Sequence, residues 1–370
     1  MSDRDRAWLE IDLGAVVHNF HQIQRRVGGH TTTMAVVKAD AYGHGAVPVA
    51  RVLENSGVGW FGVATVDEAL ELRAAGVGGM ILIMGLSAPQ RAAEVVEARL
   101  TPTIMSSADA RAFSAAAGDA PLAVHIKADS GMCRMGVRHD DMADFCRQIK
   151  DLPDLRYEGI FSHFANAGLD PDFSRFQIRN FQQAVDVAQQ ILGPFKWHHM
   201  CASTALLLYD DAHLNMVRPG DLLYGMMEDV PPEALPPVKP AMTVKARLGL
   251  IKPVKPGDRV GYGCIHQVAE SQDVGIVTIG YADGYPRQLS NVGQTIIRGK
   301  RRPIVGRVSM DTVIVSLGTG HDCQVGDEVV LLGRQGEERI TAEELAARAG
   351  TITQEIASRM GKRLHRVYQE

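Results

Sequence analysis

The chain has 370 residues, more than one hydrophobic core usually serves, so a barrel-sized domain with a smaller second domain is expected. Its formal net charge of -4 provides no cationic surface for nucleic acid or anionic membranes and favours small-molecule partners. The five cysteines are scattered and never spaced as CxxC, which argues against a disulfide framework or structural zinc. Because the charged start carries no apolar signal segment, we expect a cytoplasmic protein.

Short apolar runs recur through the first two thirds of the chain, and segments with helical spacing separate most of them. This alternation of strand and helix predicts a (β/α)8 barrel. An open doubly wound sheet is the alternative, and it is disfavoured because no GxGxxG motif follows the first strand. The eight runs cover residues 33–37, 60–64, 80–85, 101–104, 122–127, 157–162, 195–200 and 214–217.

The character of the sequence changes at the proline-rich stretch 235–240, which is predicted to be a stiff linker. We therefore expect a barrel over residues 1–235 and a second domain over residues 236–370. The second domain is predicted to be mostly β, because β-branched runs alternate there with glycine turns. An additional strand at residues 7–11 is compatible with either domain.

Lys38 ends the first predicted strand and opens a turn-rich segment. Parallel α/β folds place their chemistry at such strand ends, where a partly desolvated lysine has a lowered pKa suited to Schiff-base formation. The alternative is an ordinary solvated lysine. The other strand ends favour the reactive lysine, because they are polar and converge on one barrel mouth. They carry Lys127 and Arg134 after the fifth strand, His163 after the sixth, Ser203 after the seventh and Arg218 after the eighth.

This cationic mouth is expected to bind an anion. In barrels the loops after strands seven and eight often bind phosphate, and here they offer Ser203 and the backbone at Gly220 and Asp221. A phosphate site combined with a strand-end lysine is typical of pyridoxal 5'-phosphate, whose aldehyde condenses with an amine. Taken singly, each polar residue also has a structural explanation, such as a helix cap for Ser203 or an ion pair for Arg218.

The segment VVKADAYGHG at residues 36–45 resembles the lysine signature of the pyridoxal-phosphate-dependent alanine racemases. The resemblance spans nearly the whole chain and implies a (β/α)8 barrel with a C-terminal β domain. It also implies a homodimeric isomerase that interconverts L- and D-alanine. The further matching segments are KADSGMCRMG at 127–136, SHF at 162–164, RPG at 218–220, VGYG at 260–263, GYADG at 280–284 and GRVSMD at 306–311.

The resemblance implies two acid/base catalysts, Lys38, which also holds the cofactor, and Tyr262 in the C-terminal domain. Tyr262 would reach the barrel of the partner subunit in a head-to-tail dimer. Two bases on opposite faces of the substrate Cα explain racemisation, because one removes the proton and the other returns one to the opposite face. Arg134 would contact the substrate carboxylate and the cofactor phenolate, and Met310 would supply a backbone amide to that carboxylate.

The resemblance also assigns the remaining cofactor contacts. His163 would stack on the pyridine ring, and Arg218 would face the ring nitrogen, which a permanently charged guanidinium leaves unprotonated. Tyr42, Ser203 and the amides near Gly220 and Asp221 would hold the phosphate.

Lys127 matches a position that is carbamylated in many members, where it would orient Arg134; an unmodified lysine is the alternative. The entrance to the substrate corridor would be lined by Tyr281, Arg287, Arg307 and Ile352.

Three positions depart from the family pattern. Gln354 stands where many members have a tyrosine that crowds the substrate, Asp221 stands where an aliphatic residue is common, and Gly168 replaces an acidic corridor residue. These changes leave the reaction class intact but weaken the expectation of strict alanine specificity. A racemase that accepts serine or a broader set of amino acids is therefore an alternative.

Three other functional classes are less consistent with the sequence. An amino-acid decarboxylase on the same plan is disfavoured by the VGYG and GRVSMD segments, and a noncatalytic pyridoxal-phosphate carrier by the additional β domain. A metallohydrolase centred on a carbamylated Lys127 is disfavoured because His163, His198 and His199 lack an HxH pair at the first strand. No metal is expected.

Overall fold

The computed structural model describes residues 6–118 and 120–369. Within these residues the chain separates into two compact units. The barrel unit comprises residues 16–41 and 46–239, and the β unit comprises residues 6–15, 42–45 and 240–369.

The barrel unit is built on a sheet of parallel strands, which confirms the predicted (β/α)8 architecture. A backbone hydrogen bond of 2.9 Å from Arg218 N to Cys201 O joins the segments after the last two strands and brings the sheet close to closure. A two-residue strand, Val137–Arg138, pairs in parallel with the last two residues of the strand Leu122–Asp129. The eight barrel strands among the described residues are, in pairing order, Met216–Val217, Thr32–Val36, Trp60–Val63, Met80–Ile83, Thr101–Ile104, Leu122–Asp129, Leu155–Phe161 and Trp197–His199.

Apolar side chains from several of these strands pack together inside the barrel unit. Removing such a side chain from water contributes about 1.5–3 kcal/mol to the stability of the fold. Strands that are buried on both faces have continuous apolar sequences. This is why short runs without alternation correctly predict the strands. The buried cluster consists of Met34, Trp60, Leu82, Phe161 and Met216.

Helices connect the barrel strands. The helix Val66–Ala74 begins with a capping box, in which the Thr65 side chain accepts from Glu68 N and the Glu68 side chain accepts from Thr65 N. No helix in the described residues is long and apolar enough to span a bilayer. The other helices of this unit are Ala46–Asn55, Ala92–Glu97, Ser107–Ala116, Met142–Ile149, Pro171–Leu192 and Ser203–Leu208.

A further helix, Leu13–Val27, was not predicted from the sequence. Its residue Asn19 hydrogen-bonds the backbone of Lys239 in both directions, with 2.7 Å for each bond, and also donates to Leu223 O over 3.0 Å. A side-chain amide can replace a backbone partner in this way because it carries both a donor and an acceptor. The C-terminal end of the proline-rich stretch is thus held against this helix.

The β unit contains a large mixed sheet, which confirms the predicted mostly β domain. Its first strand, Ala7–Asp12, pairs antiparallel with Met242–Val254 and parallel with His365–Gln369. The opening of the chain therefore belongs to this sheet, which differs from the expectation that residues 1–235 form the barrel domain. The other strands of this sheet are Gln272–Val277, Gln294–Ile297, Lys300–Pro303, Val313–Gly318, Glu328–Gln335 and Glu338–Ile340. Arg259–Val260 and His266–Gln267 form a separate two-stranded sheet, and the helices of this unit are Ala342–Ala349 and Thr353–Ser358.

Candidate active site

Lys38 lies just beyond the barrel strand Thr32–Val36 and begins a left-handed helical turn. Ala39, Asp40 and Ala41 have φ of 52°, 54° and 53° with positive ψ, and Tyr42 continues the turn with φ of 55°. This conformation costs a residue with a Cβ roughly 1–2 kcal/mol, so the surrounding structure must hold it in place. One such contact is the hydrogen bond of 2.8 Å from Ala46 N to Asp40 Oδ1.

The surroundings of Lys38 lower the pKa of its amine. Burial is the largest cause, and the Asp221 carboxylate opposes it. Arg134 and Arg218 lower the pKa further, whereas Glu68 raises it. A lowered pKa increases the neutral fraction of the amine, which is the form that attacks a carbonyl.

Lys127 is a second buried lysine at the barrel mouth, only 6% exposed. Burial lowers its pKa to about 8, with smaller contributions from the positive charges of Arg218, Arg134 and Lys38. Its Nζ lies 5.1 Å from the centroid of the Phe161 ring. None of the described carboxylates forms a salt bridge with it, so its surroundings favour the neutral amine.

Arg218 is buried and held by hydrogen bonds to backbone carbonyls and imidazoles. Its Nη2 donates to Ser162 O over 2.7 Å and to Met200 O over 3.2 Å, and its Nη1 donates to His199 Nδ1 over 2.8 Å. Burial lowers the pKa of Arg218 to about 10. The guanidinium therefore keeps its charge near neutral pH.

The imidazoles around Arg218 form a chain inside the barrel unit. Because Arg218 donates to His199 Nδ1, the His199 proton is on Nε2, and it points to His125 Nδ1 at 3.0 Å. His163 Nδ1 lies 3.3 Å from Arg218 Nη2 and accepts from it in the same way. Burial is the main cause that lowers the pKa of all three imidazoles, to about 3 for His125.

His125 was missed in the sequence analysis, although a signal for it was present. It lies two residues before Lys127 on the strand Leu122–Asp129. Side chains two residues apart in a strand share a face, so an inward-facing Lys127 implies an inward-facing His125.

Ser203 begins the helix Ser203–Leu208, and its hydroxyl oxygen accepts two backbone hydrogen bonds. The donors are Gly220 N at 3.0 Å and Leu222 N at 3.2 Å. The assignment of the amides near Gly220 and Asp221 to a phosphate stays a prediction; the Gly220 amide itself donates to Ser203. The Ser203 proton then remains available to donate to a ligand, because its oxygen already serves as an acceptor.

Arg134 lies in the exposed loop after the strand Leu122–Asp129. No described residue accepts a hydrogen bond from its guanidinium. It shares a cavity of about 550 Å³ with Cys133 and Asp129, among other residues. A charged guanidinium open to solvent is suited to bidentate binding of a carboxylate.

In the β unit, Tyr262 is 74% exposed and lies in a short 3-10 turn between two glycines. Gly261 and Gly263 have φ of 69° and 72°, which residues with a Cβ rarely adopt. A Cβ on Gly263 would also lie 3.0 Å from Arg307 Nε. The glycines therefore permit a turn that leaves Tyr262 exposed, with Gly263 packed close to Arg307.

Two loops of the β unit hold other residues named above. Tyr281 N donates to Ser309 O and Ala282 N donates to Met310 O, each over 3.0 Å. Met310 is 52% exposed on the second loop. Of the remaining entrance residues, Ile352 and Arg287 are exposed and Arg307 is half-buried, as is Gln354 in the helix Thr353–Ser358.

Two of the departures from the family pattern have local explanations in the barrel unit. A Cβ on Gly168 would lie 2.3 Å from Asp229 O, so the backbone around Asp229 leaves no space for a side chain there. Asp221 exerts the largest charge effect on the pKa of Lys38. Among the described residues, no group of three or more His, Cys, Asp or Glu side chains is arranged to hold a metal ion.

Comparisons with known proteins identify the family of this chain. The alanine racemase N-terminal domain matches residues 11–228, and the alanine racemase C-terminal domain matches residues 241–368. Among curated relatives, the alanine racemase of Desulfovibrio desulfuricans is 41% identical and that of Desulforamulus reducens 39% identical, with 98% and 99% of each chain covered.

Solved structures give the same result. Alanine racemase from Clostridium difficile 630 superposes with a TM-score of 0.93 at 34% identity, covering 99% of this chain and 96% of that one. Alanine racemase from Bacillus anthracis with bound L-Ala-P has a TM-score of 0.93 at 32% identity, covering 99% and 95%. This chain belongs to the alanine racemase family.

Proposed function

We propose that this protein is a pyridoxal 5'-phosphate-dependent isomerase that interconverts L- and D-alanine. The observation that carries the proposal is Lys38, a partly desolvated amine at the end of a barrel strand with its pKa lowered by burial. Family membership supplies the reaction class, and the cationic barrel mouth supplies a site for an anionic cofactor and substrate.

The residues at the barrel mouth fit this cofactor. The Lys38 amine suits its aldehyde, and the Ser203 hydroxyl, which accepts from two backbone amides, keeps a proton to donate to its phosphate. Arg218 offers a buried, charged donor for its ring nitrogen, and the flat His163 ring lies beside Arg218. When bound, the cofactor supplies an electron-withdrawing ring that acidifies the substrate Cα–H.

The protein's own residues then direct the proton. Arg134 binds the substrate carboxylate and fixes which faces of Cα are presented. Lys38 takes or returns the proton on one face, and Tyr262 of the partner subunit does so on the other. Arg218 donates without releasing its own proton at neutral pH.

We infer that the active sites are shared between two copies of the chain. The support is the exposure of Tyr262 and of three further apolar residues of the β unit, Met310, Ile352 and Tyr281. Large exposed apolar residues on one unit are typical of a binding surface, and a twofold dimer would give both copies the same contact.

Lys127 is proposed to carry a carbamate. Its neutral amine would attack carbon dioxide, form an N–C bond and release one proton, which leaves an anion where the protonated lysine would carry a positive charge. The supporting observations are the pKa of about 8 and the surrounding positive charges. The new anion would attract the neighbouring Arg134 and hold its guanidinium for substrate.

The site of action is proposed to be the cytoplasm. The five cysteines are free thiols, two of them exposed, which is typical of a reducing compartment.

A racemase with broader specificity is the second candidate, favoured by Gln354 in place of a tyrosine. A glutamine at an entrance position offers an amide for hydrogen bonds to a polar side chain. Serine is the smallest amino acid whose side chain could form such a hydrogen bond.

The proposal is tested by adding the cofactor to purified protein and following a visible absorption band, borohydride reduction and the production of D-alanine. We expect the reduced label on Lys38. Absence of the band, or a label on another lysine, would disprove the central assignment.

Shared active sites are tested by mixing two inactive variants, Lys38→Ala and Tyr262→Phe. A mixed dimer then contains one site with both changes and one with neither, so activity should return on mixing. If each site uses Lys38 and Tyr262 of the same chain, mixing restores nothing. The Tyr262→Phe variant alone should keep the visible band and lose most racemisation.

A further inference from the structure

The carboxylate of Glu68 is fixed at one position by backbone amides. Its Oε2 accepts from Ala64 N over 2.7 Å and from Thr65 N over 3.2 Å. The Thr65 hydroxyl accepts from Glu68 N over 3.2 Å and completes the capping box of the helix Val66–Ala74. A side chain held by reciprocal bonds of this kind has little freedom to rotate.

The second oxygen of this carboxylate reaches the residue that follows Lys38. Glu68 Oε1 accepts a hydrogen bond of 2.7 Å from Ala39 N. Ala64 follows the strand Trp60–Val63, which pairs in parallel with Thr32–Val36, the strand that precedes Lys38. One carboxylate therefore ties together the ends of two adjacent barrel strands.

The bond to Ala39 acts at the start of the left-handed turn. Ala39 is the first residue of the turn with positive φ, at 52°. An alanine in this conformation relaxes to the right-handed or extended region unless other groups hold it. A charge-assisted hydrogen bond to its amide supplies such a hold. The direction of the Lys38 side chain depends on the peptide that this bond fixes.

We propose that Glu68 is a positioning residue for Lys38, which holds the left-handed turn after the lysine and balances the charge of its amine. The charges that act on Lys38 include the carboxylates of Asp221 and Glu68 and the guanidinium groups of Arg134 and Arg218. Lys127 and His163 also interact electrostatically with Lys38. Glu68 also binds the backbone of the residue that follows Lys38. The functional importance of this role rests on the proposed function of Lys38 as the cofactor-binding base.

Glu54 provides a matched control in the same unit. It is also half-buried and accepts backbone hydrogen bonds near a strand end, from Gly78 N over 2.9 Å and Gly79 N over 2.7 Å. It is not among the charges that affect Lys38. Glu54→Ala thus removes a comparable set of backbone contacts without touching the lysine.

The first measurement uses the protein without cofactor. The rate at which acetic anhydride acetylates Lys38 is followed against pH by mass spectrometry, because only the neutral amine reacts. Glu68 raises the pKa of Lys38, so both Glu68→Ala and Glu68→Gln should shift the profile to lower pH. Glu54→Ala should leave it unchanged.

The second measurement is the affinity for pyridoxal 5'-phosphate. Glu68→Ala should weaken it about tenfold or more, as loss of a supporting contact does in other preorganised sites. Glu68→Gln should lie between this variant and the parent protein, because its amide oxygen still accepts from Ala39 N. Glu54→Ala should remain within about twofold.

An unchanged acetylation profile and unchanged cofactor affinity in Glu68→Ala, with native circular dichroism, would overturn the proposal. If Glu68→Ala does not fold, Glu68→Gln decides by the same two measurements. If the parent protein never binds the cofactor through Lys38, the proposed function fails, while the acetylation profile still reports whether Glu68 acts on Lys38.

Discussion

Arg218 and His199 form a buried hydrogen-bonded pair, with 2.8 Å between Nη1 of the arginine and Nδ1 of the histidine. The two residues are 3% and 0% exposed. A neutral histidine holds the arginine without cancelling its charge, whereas a carboxylate in the same place would neutralise it. The positive charge of Arg218 therefore remains available to a ligand at the barrel mouth.

Removal of the His199 acceptor should destabilise the protein. In His199→Phe the ring can still stack on Phe161, but the Nη1 donor of Arg218 loses its partner. A buried donor without a partner costs about 1–3 kcal/mol, which urea unfolding can measure. His198→Phe is the control, because His198 is only half-buried, and its effect should be less than half as large. Equal effects would contradict the role of the pair.

The buried imidazoles predict a loss of stability in mild acid. His125 has a pKa of about 3 in the folded protein against an ordinary value of 6.5, and the pKa of His199 is also lowered. Well above pH 6.5 each histidine is neutral in both the folded and the unfolded protein. Below this pH the histidines of the unfolded chain bind protons, whereas those of the folded protein do not. The free energy of unfolding should fall by up to about 1.4 kcal/mol per pH unit for each histidine.

This prediction is checked by urea unfolding between pH 7.5 and 5.5. The variant His125→Asn should show a shallower decline than the parent protein. A decline of equal slope in both would mean that other groups cause it.

Burial should make two ion pairs of the same length differ in their contribution to stability. Arg6–Asp283 and Arg147–Asp144 both span 2.6 Å, but Asp283 is 0% exposed and Asp144 is 81% exposed. Asp283→Asn removes a fully buried carboxylate that pairs with Arg6 and Arg363, which should cost about 3 kcal/mol, whereas Asp144→Asn should have little effect. Thermal unfolding of the two variants provides the comparison. Similar losses would show that burial does not control the effect.

The proposed carbamate on Lys127 should be detectable without an activity assay. After incubation with ¹³C-bicarbonate near pH 8, where about half of an amine with a pKa of about 8 is neutral, a carbamate carbon signal is expected by NMR. The signal should be absent in Lys127→Arg, because a guanidinium keeps its charge at that pH. A signal that persists in this variant would assign the carbamate to another lysine.

Specificity should depend on Gln354. We expect the parent protein to use serine with a kcat/KM within a hundredfold of that for alanine, and Gln354→Tyr to increase the preference for alanine. The kcat/KM values for alanine, serine, lysine and glutamate provide the test. A parent preference for alanine above a hundredfold would exclude broad specificity.

Much of the fold was predictable because its signals are local. The strand Thr101–Ile104 has the predicted bounds, and the other barrel strands lie within one or two residues of a predicted run or inside it. The helix Leu13–Val27 is not predicted from the sequence, and the prediction of a strand at residues 7–11 does not include its sheet. That strand pairs with Met242–Val254, and no local pattern reports a partner more than two hundred residues away.

The sequence by itself determined the fold class, the family and the strand-end position of Lys38, because apolar periodicity and contiguous motifs are local properties of the chain. The assignments of Tyr262, Arg134 and the entrance residues stay predictions. Only the tertiary structure decided which groups surround the lysine: Glu68 lies 29 positions from Ala39, and Arg218 lies 56 positions from Ser162. Such contacts depend on strand register and barrel closure, which arise from the packing of the whole chain.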